Sequence, residues 1–155
     1  MKVRRSYLDE AVDRVNLHIY PSPFTHESRI LKETKSMADA GLVSQVFLVG
    51  IWDEGLPETE QLDPKRQICR IKPSIGSQQS SLLIKTLRYL EWQWKIYSRF
   101  KKSPVKYINC HSLPVLPIGV FFKIFKRATL IYDTHELETE SIGSVGFKRL
   151  LYKLV

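Results

Sequence analysis

The sequence predicts an α/β fold: one Rossmann-like, doubly wound parallel sheet with helices on both of its faces. Short, near-continuous apolar runs alternate along the chain with longer amphipathic segments. Apolar runs of this kind are typical of parallel strands that helices cover on both sides. The chain has 155 residues, of which 43% are hydrophobic. It is therefore long enough for one domain with a core and too short for two ordinary domains.

The first three predicted elements form a βαβ unit. Residues 14–20, RVNLHIY, read as a strand, and residues 25–41 read as a helix with Ile30 among its apolar positions. Gly41 is a typical helix stop, because glycine readily adopts the backbone conformation that follows a helix end. Residues 44–50, SQVFLVG, then supply a second apolar strand.

The second half of the chain continues the alternation. A third strand over 66–71 follows a polar, proline-containing loop, a fourth strand covers 105–110 and a fifth covers 129–133. Between them lie a long helix over 80–102 and a helix over 114–128 that has prolines near its start. The apolar residues of the long helix recur at spacings of four and three, which predicts one face packed in the core and a basic opposite face. These apolar residues are Leu83, Leu87, Leu90, Trp94 and Tyr97.

Charge and composition limit the cellular location and the kinds of binding partner that the sequence predicts. The 24 Lys and Arg residues exceed the 16 Asp and Glu residues, which gives a net charge of +8 and favours an anionic partner. Cys69 and Cys110 stand far apart without a CxxC pattern, so no disulfide framework and no zinc knuckle is predicted. Residues 1–13 read as a basic N-terminal extension without a signal-peptide core, and no apolar run approaches the ~20 residues that span a bilayer. We therefore expect a cytoplasmic protein.

Polar side chains follow the predicted carboxyl ends of three strands, where doubly wound sheets bind their ligands. These candidate residues are His26 after strand one, His111 and Ser112 after strand four, and Asp133, His135 and Glu136 after strand five. Strand one is expected to lie between the second and fourth strands. This order predicts that His26 and His111 flank the crevice.

His111 is the main candidate, because a strand that runs into His-Ser and then into a proline-started helix leaves the imidazole facing the crevice. Its neighbours have structural alternatives. His26 fits a helix entry between Thr25 and Glu27, and Asp133 fits a turn carboxylate that binds its own backbone. A chance distribution of polar residues among the loops is a further alternative.

The sequence contains no common glycine-rich phosphate loop. Neither GxGxxG nor GxxxxGK[ST] occurs, and the turn after strand one, PSPFTHES, has no glycine. A self-contained dinucleotide or ATP site is therefore not expected. The rim histidines and Glu136 have suitable chemistry for zinc or iron, but they lack the H-x3-H and HExxH spacings. We accordingly expect no metal and no cofactor.

Three segments, SRILKETKSMADAG, YINCHSLPVLPIGVFFK and ATLIYDTHELETES, resemble in order and spacing the N-terminal, acceptor-side half of family-four glycosyltransferases. These retaining enzymes have the GT-B fold, in which two Rossmann-like domains face each other across a cleft. The resemblance covers most of residues 14–155 and identifies them as the Rossmann-like N-terminal domain. Arg29 matches an arginine of one subgroup. The glycine-free turn departs from the family, which argues against a donor-phosphate contact at that turn.

The resemblance implies transfer of a sugar, with retention, from a nucleotide-sugar donor to a hydroxyl of a glycan or lipid-linked acceptor, as in polysaccharide biosynthesis. His111 would lie at the reaction centre and hold the transferred sugar or the acceptor hydroxyl by hydrogen bond, with general-base action as an alternative. Asp133, His135 and Glu136 would line the acceptor side or shape its loop.

Members of this family carry a second domain that holds the donor nucleotide, and no such domain follows in these 155 residues. The final segment, GFKRLLYKLV, stops inside an apparent helix without a C-terminal cap. We therefore expect a truncated chain or a split subunit that is inactive without a donor-binding half.

A binding module without chemistry of its own is the alternative function. The stretch RYLEWQWKIYSRFKK combines aromatic and basic residues, as nucleic-acid surfaces do, but its spacing favours core aromatics and a solvated basic face. Residues 119–128, GVFFKIFKRA, are short, basic and apolar and favour peripheral docking on the inner face of an anionic membrane. A membrane partner is therefore favoured over nucleic acid.

Overall fold

The computed structural model describes residues 14–74 and 81–133. Within these ranges, six β-strands and three α-helices follow one another along the chain. They are β1 (Val15–Ile19), α1 (Ser28–Asp39), β2 (Gln45–Ile51), β3 (Thr59–Asp63), β4 (Arg66–Ile71), α2 (Leu82–Phe100), β5 (Val105–Cys110), α3 (Leu116–Lys126) and β6 (Thr129–Tyr132). A single 3₁₀ turn, Leu113–Val115, leads from β5 into α3.

The six strands form one sheet in the order β3-β4-β2-β1-β5-β6. Neighbouring strands are parallel except for β3 and β4. β1 lies between β2 and β5, as the sequence predicts, so the order of strand addition reverses at β1. Sheets of this class bind ligands beyond the carboxyl ends of the strands at such a reversal. The predicted doubly wound α/β fold class is thus confirmed.

The prediction was wrong for residues 59–63, which form the antiparallel edge strand β3 rather than a loop. The sequence of β3, TEQLD, has no buried side chain and therefore no apolar run that marks it as a strand. An edge strand needs only one partner, and polar side chains on its open edge discourage pairing with another chain.

The core occupies both faces of the sheet, because alternate residues of each strand point to opposite sides. One cluster joins α2 and α3 to the sheet. Its large, fully buried members are Leu17, Ile19, Trp92, Ile96, Ile108 and Phe122. The other cluster joins α1 to the opposite face. Its buried members are Phe24, Ile30, Ala38, Val43, Val46, Leu48 and Ile68.

The predicted core face of α2 was wrong. The exposed side chains of that face are Leu83, Leu87, Leu90 and Trp94. The helix carries a second apolar stripe, and its Trp92 is fully buried and donates the indole N–H to the Gly50 carbonyl at 3.2 Å. Ile96 lies one turn further on the same stripe. Of the five residues in the predicted face, Tyr97 alone packs against the core cluster.

Two further expectations concern the C-terminal residues and membrane-spanning helices. His135, Glu136 and the final predicted helix lie outside the described residues. Among the helices that are described, none combines the length and the apolar character that crossing a bilayer requires.

Candidate functional site

Two neighbouring central strands carry buried polar residues at the same spacing. Asn16 and His18 lie in β1, while Asn109 lies in β5 and His111 directly follows it. The two asparagines contact side chains of α1, so all four residues point toward the face that α1 covers. All four are buried. Buried polar groups destabilise a fold unless they are hydrogen-bonded. The amide nitrogens of both asparagines and the ring nitrogens of His18 have partners, whereas the Asn16 and Asn109 side-chain oxygens have none among the described residues.

The network is a chain of contacts that ends at a carboxylate. The Asn16 amide nitrogen lies 3.0 Å from His18 Nε2, and His18 Nδ1 lies 2.9 Å from His111 Nε2. The two imidazole rings are nearly parallel, with centroids 5.1 Å apart. On its other side, His111 Nδ1 lies 3.5 Å from Asp133 Oδ2.

Three parallel strands bring these side chains together at the carboxyl rim. The backbone N–H of His111 donates to the carbonyl of Ile19 at 3.1 Å. His111 therefore lies two residues beyond Asn109, which is the residue of β5 level with His18. The backbone N–H of Asp133 donates to the carbonyl of Cys110 at 3.0 Å, so Asp133 leaves β6 beside His111. The continued ladder between β1, β5 and β6 therefore fixes the geometry.

The Asp133 carboxylate lies between the buried imidazoles and solvent. Its side chain is 24% exposed, and its Oδ1 lies 3.7 Å from a guanidinium nitrogen of Arg29. Glu33 of α1 is half-buried and accepts a hydrogen bond of 3.5 Å from the Asn109 amide. Burial raises the pKa of the Glu33 carboxyl, the charge of Asp133 adds to the rise, and Arg29 opposes it. Two carboxylates and one guanidinium thus line the rim above two imidazoles.

His18 is held in its neutral form. Burial, with the neighbouring His111 adding to the effect, lowers its pKa from 6.5 to about 3. Removing an imidazolium from water is costly, so a fully enclosed histidine keeps a single ring proton. His18 therefore acts near neutral pH as one donor and one acceptor.

The expectation that the His111 imidazole faces an open crevice was wrong. Its side chain is 0% exposed and lies against His18 and beneath Asp133. The reason is that β6 is parallel to β5 and ends level with it. The first residue after β6 therefore lies beside the imidazole. His111 reaches the rim through Asp133.

Of the other predicted site residues, some lie at the rim and others do not. Arg29 contacts the rim carboxylate, although its own side chain is 67% exposed. Ser112 is buried, and its hydroxyl has no hydrogen-bond partner among the described residues. His26 is exposed and takes no part in the contacts given above. His135 and Glu136 lie outside the described ranges.

The cluster of His18, Glu33 and His111 also has the composition of a metal site. Each residue offers a ligand atom, and these atoms lie within 4.8 Å of one another. The two histidine nitrogens are 2.9 Å apart, whereas two nitrogens bound at about 2.0–2.1 Å to a tetrahedral zinc are about 3.3 Å apart. The spacing is that of a hydrogen bond.

The turn between β1 and α1 contains a left-handed residue that is not glycine. Phe24 has a φ of 58°, and its ring is buried. Such a conformation costs a non-glycine residue about 1–2 kcal/mol. The turn is held by the Phe24 N–H, which donates to Ser22 Oγ at 3.0 Å, and by Arg70 Nε, which donates to the Pro23 carbonyl at 2.6 Å.

A continuous apolar surface lies on the other face of the sheet, between α2 and α3. Its exposed members are Leu90, Trp94, Phe121, Ile124 and Phe125, and we call it the α2–α3 apolar surface. The Tyr97 and Phe121 rings meet edge to face at 4.9 Å between centroids, and they bridge the two helices. A groove of about 210 Å³ opens there. Exposed apolar patches of this kind mark binding surfaces.

Comparison with known proteins finds a sequence similar to part of a mannosyltransferase and a fold similar to part of a sucrose-phosphate synthase. No protein-family model matches the chain. Over 116 residues, or 72% of this chain, the sequence is 37% identical to the chitobiosyldiphosphodolichol beta-mannosyltransferase of Kluyveromyces lactis. The matched part is 24% of that enzyme, so the chain spans about a quarter of its length. Sucrose-phosphate synthase of Thermosynechococcus elongatus has a similar fold, with a TM-score of 0.65 and 13% identity. That match covers 91% of this chain and 39% of the synthase.

Sequence reasoning missed His18 and Asn16. A histidine inside an apolar run was treated as part of the strand, because one polar residue in a strand carries little information. The missed signal is a repeat: Asn16 and His18 in NLH have the same spacing as Asn109 and His111 in NCH. Two adjacent buried strands with the same polar pair on one face indicate side chains that meet.

Proposed function

We propose that this chain is the acceptor-side domain of a glycosyltransferase that moves a sugar from a nucleotide-sugar donor to an acceptor hydroxyl. The observation that carries the proposal is the rim of β1, β5 and β6, where His111, Asp133 and Arg29 converge at the reversal point of the sheet. Similarity to a mannosyltransferase over most of the described residues supports the reaction class. Residues 14–155 as this domain, and residues 1–13 as an extension, remain a prediction.

Polar groups at the rim have distinct proposed roles. His111 is the proposed catalytic residue. Because its side chain is buried, it acts on the reacting groups through Asp133, which it holds in place, and fixed polar groups at a reaction centre lower the barrier. Asp133 and Arg29 hold substrate at the surface of the crevice. The remaining proposed substrate-binding residues are Ser112, His26, His135 and Glu136.

The proposed acceptor is a lipid-linked glycan, and the donor is held by a second, donor-binding half. The relative's name specifies an acceptor with a diphosphate and a polyprenyl lipid. A chain with a net charge of +8 attracts such a diphosphate. A cytoplasmic location at the inner face of the membrane, in a pathway that builds polysaccharide, follows from the same acceptor class.

The stereochemical outcome distinguishes two forms of this proposal. The resemblance to family-four enzymes predicts retention, so that an α-linked donor gives an α-linked product. The relative's name specifies a beta-mannosyl product, which an α-linked donor gives only through inversion. Retention stays a prediction, and the anomeric configuration of the product, read by NMR, decides between them.

The test measures sugar transfer and nucleotide-sugar binding by the chain alone and combined with a donor-binding half. We expect the chain alone to show negligible binding in calorimetry, because positive charge attracts a diphosphate without orienting it. The combined form should bind and transfer. His111→Ala should lower its kcat at least ~10-fold, which corresponds to about 1.4 kcal/mol of barrier.

The matched control is Lys35→Ala, on the exposed part of α1, where Lys35 pairs with Asp39 at 2.8 Å. It should leave kcat within twofold. Tight binding of a nucleotide-sugar by the chain alone would contradict its proposed dependence on a donor half. Equal kcat for His111→Ala and the control would remove His111 from the catalytic machinery.

A second candidate function is a binding module for an anionic membrane surface, and the α2–α3 apolar surface favours it. Phe121, Ile124 and Phe125 are exposed on α3, and Lys123 and Lys126 lie among them. An amphipathic helix with this mixture binds anionic lipid through apolar burial and charge attraction together. Nucleic acid is not a proposed partner.

Vesicle sedimentation distinguishes these partners. We expect binding to phosphatidylglycerol vesicles that weakens with salt, and little binding to phosphatidylcholine vesicles or to an oligonucleotide. Ile124→Ser should reduce vesicle binding several-fold. Leu42→Ser, at an exposed leucine in the loop between α1 and β2, is the control and should not. Equal losses in the two variants would contradict docking through α3.

A further inference from the structure

We propose that His18 is a positioning residue that fixes the tautomer of His111, so that His111 presents a donor N–H to the rim carboxylate of Asp133. The relevance for sugar transfer rests on the proposed function. The proton arrangement itself rests on the contacts of five residues, Asn16, His18, Met37, His111 and Asp133. His18 is enclosed in the sheet, and its Nδ1 contacts Nε2 of His111.

The arrangement begins at the Asn16 side chain. Its amide nitrogen lies 3.0 Å from His18 Nε2 and 3.2 Å from the Met37 sulfur. An amide nitrogen only donates, and a thioether sulfur only accepts. Rotating the amide by half a turn would place its oxygen against the Met37 sulfur, which has no proton to donate. Asn16 therefore donates, and His18 Nε2 carries no proton.

The single proton of neutral His18 must then be on Nδ1. That atom lies 2.9 Å from His111 Nε2, so His18 donates and His111 Nε2 accepts. Which ring nitrogen of a histidine is protonated is set by the partner of the other nitrogen. His111 consequently carries its proton on Nδ1, the atom that lies 3.5 Å from Asp133 Oδ2.

This tautomer restricts what His111 does. Its basic nitrogen is engaged with His18 inside the sheet, and its rim-facing nitrogen is a donor. His111 therefore holds Asp133 by donation and does not take a proton at Nδ1. This assigns the hydrogen-bonding role rather than the general-base role to its rim-facing side.

The test reads ring protons directly, without substrate or a donor half. Long-range ¹H–¹⁵N correlation on the ¹⁵N-histidine-labelled chain assigns the protonated nitrogen of each imidazole near neutral pH. We expect protonated Nδ1 and bare Nε2 in both His18 and His111. The exposed His26 gives a reference in the same spectrum.

Two substitutions separate positioning from simple space filling. His18→Asn retains an amide N–H near the place of Nδ1–H and should keep His111 protonated on Nδ1. His18→Phe retains a ring and removes the donor, so a His111 Nε2–H signal should appear. The backbone spectrum checks that each variant is folded. If His18→Phe does not fold, Asn16→Leu replaces it, and a second His18 tautomer should then be detected.

Protonated Nε2 on His111 in the unsubstituted chain would overturn the proposal. So would an unchanged His111 tautomer in folded His18→Phe, or an unchanged His18 tautomer in Asn16→Leu. These results are independent of sugar transfer. Failure to find transferase activity would remove the proposed function and leave the tautomer result standing.

Discussion

Acidification should destabilise this protein through His18. Burial, with the charge of His111 adding to it, lowers the pKa of His18 in the folded protein to about 3, against 6.5 for an unperturbed histidine. Between pH 6.5 and about 3, His18 is protonated in the unfolded chain and remains neutral in the folded chain. The contribution of His18 to stability is therefore complete above 6.5 and is lost progressively as the pH falls toward 3.

The size of this loss follows from the two pKa values. Each pH unit below the unfolded pKa costs about 1.4 kcal/mol until the folded pKa is reached. At about pH 4.5, some two units below the unfolded value, His18 alone should lower the free energy of unfolding by about 3 kcal/mol. This is a large part of the stability of a typical domain, which is about 5–15 kcal/mol.

The assay is urea unfolding of the unsubstituted chain and of His18→Asn at neutral pH and at about pH 4.5. Asparagine does not titrate, so the variant should lose about 3 kcal/mol less on acidification. Other titrating groups are common to both proteins and cancel in the comparison. One of them is Glu33, whose raised pKa has the opposite sign. Equal acid losses in the unsubstituted chain and His18→Asn would refute the reasoning.

Two further predictions concern the supports of the site. Arg70→Met should lower the free energy of unfolding by about 3 kcal/mol, because it removes a buried guanidinium that binds the Pro23 carbonyl at 2.6 Å. Lys35→Met, at an exposed ion pair, should cost under about 1 kcal/mol in the same urea assay, and similar costs would contradict the assignment. Gly119→Ala should cost about 1–3 kcal/mol, because a Cβ there would lie 2.5 Å from Cys110 Sγ. Unchanged thermal unfolding would show that α3 shifts freely.

The apolar periodicity of the sequence predicted the parallel strands correctly, but it missed the edge strand and assigned the wrong buried face to α2. Apolar runs identified the five parallel strands, and in four of them burial on both faces demands such runs. β6 is apolar too, although its side chains are mostly exposed in the described part of the chain. The edge strand β3 was missed because an edge tolerates polar residues. The α2 face was assigned wrongly because that helix has two apolar stripes, and spacing alone does not tell which stripe meets the sheet. Only the fit of Trp92 beneath Gly50 decides it.

The sequence predicted which edge of the sheet carries the site, but it did not predict which side chains contact one another there. Strand ends and parallel order placed His111 and Asp133 at one rim, and the structure brings them to 3.5 Å. The burial of His111 was not predictable, because it depends on how far β6 extends beside β5. His18 escaped notice because its partner is 93 positions away in the sequence, and no local pattern specifies such a pairing.

The central position of β1 has a consequence for how the chain folds. β1 pairs with β2 about 30 residues later and with β5 about 90 residues later, and distant pairings slow folding. During synthesis at about 5–20 residues per second, one edge of β1 remains unpaired for roughly 5–20 seconds until β5 has been made. Asn16 and His18 make that waiting strand more polar than its all-apolar equivalent. We expect the same pair that builds the network in the native state to reduce edge-to-edge aggregation of the nascent chain.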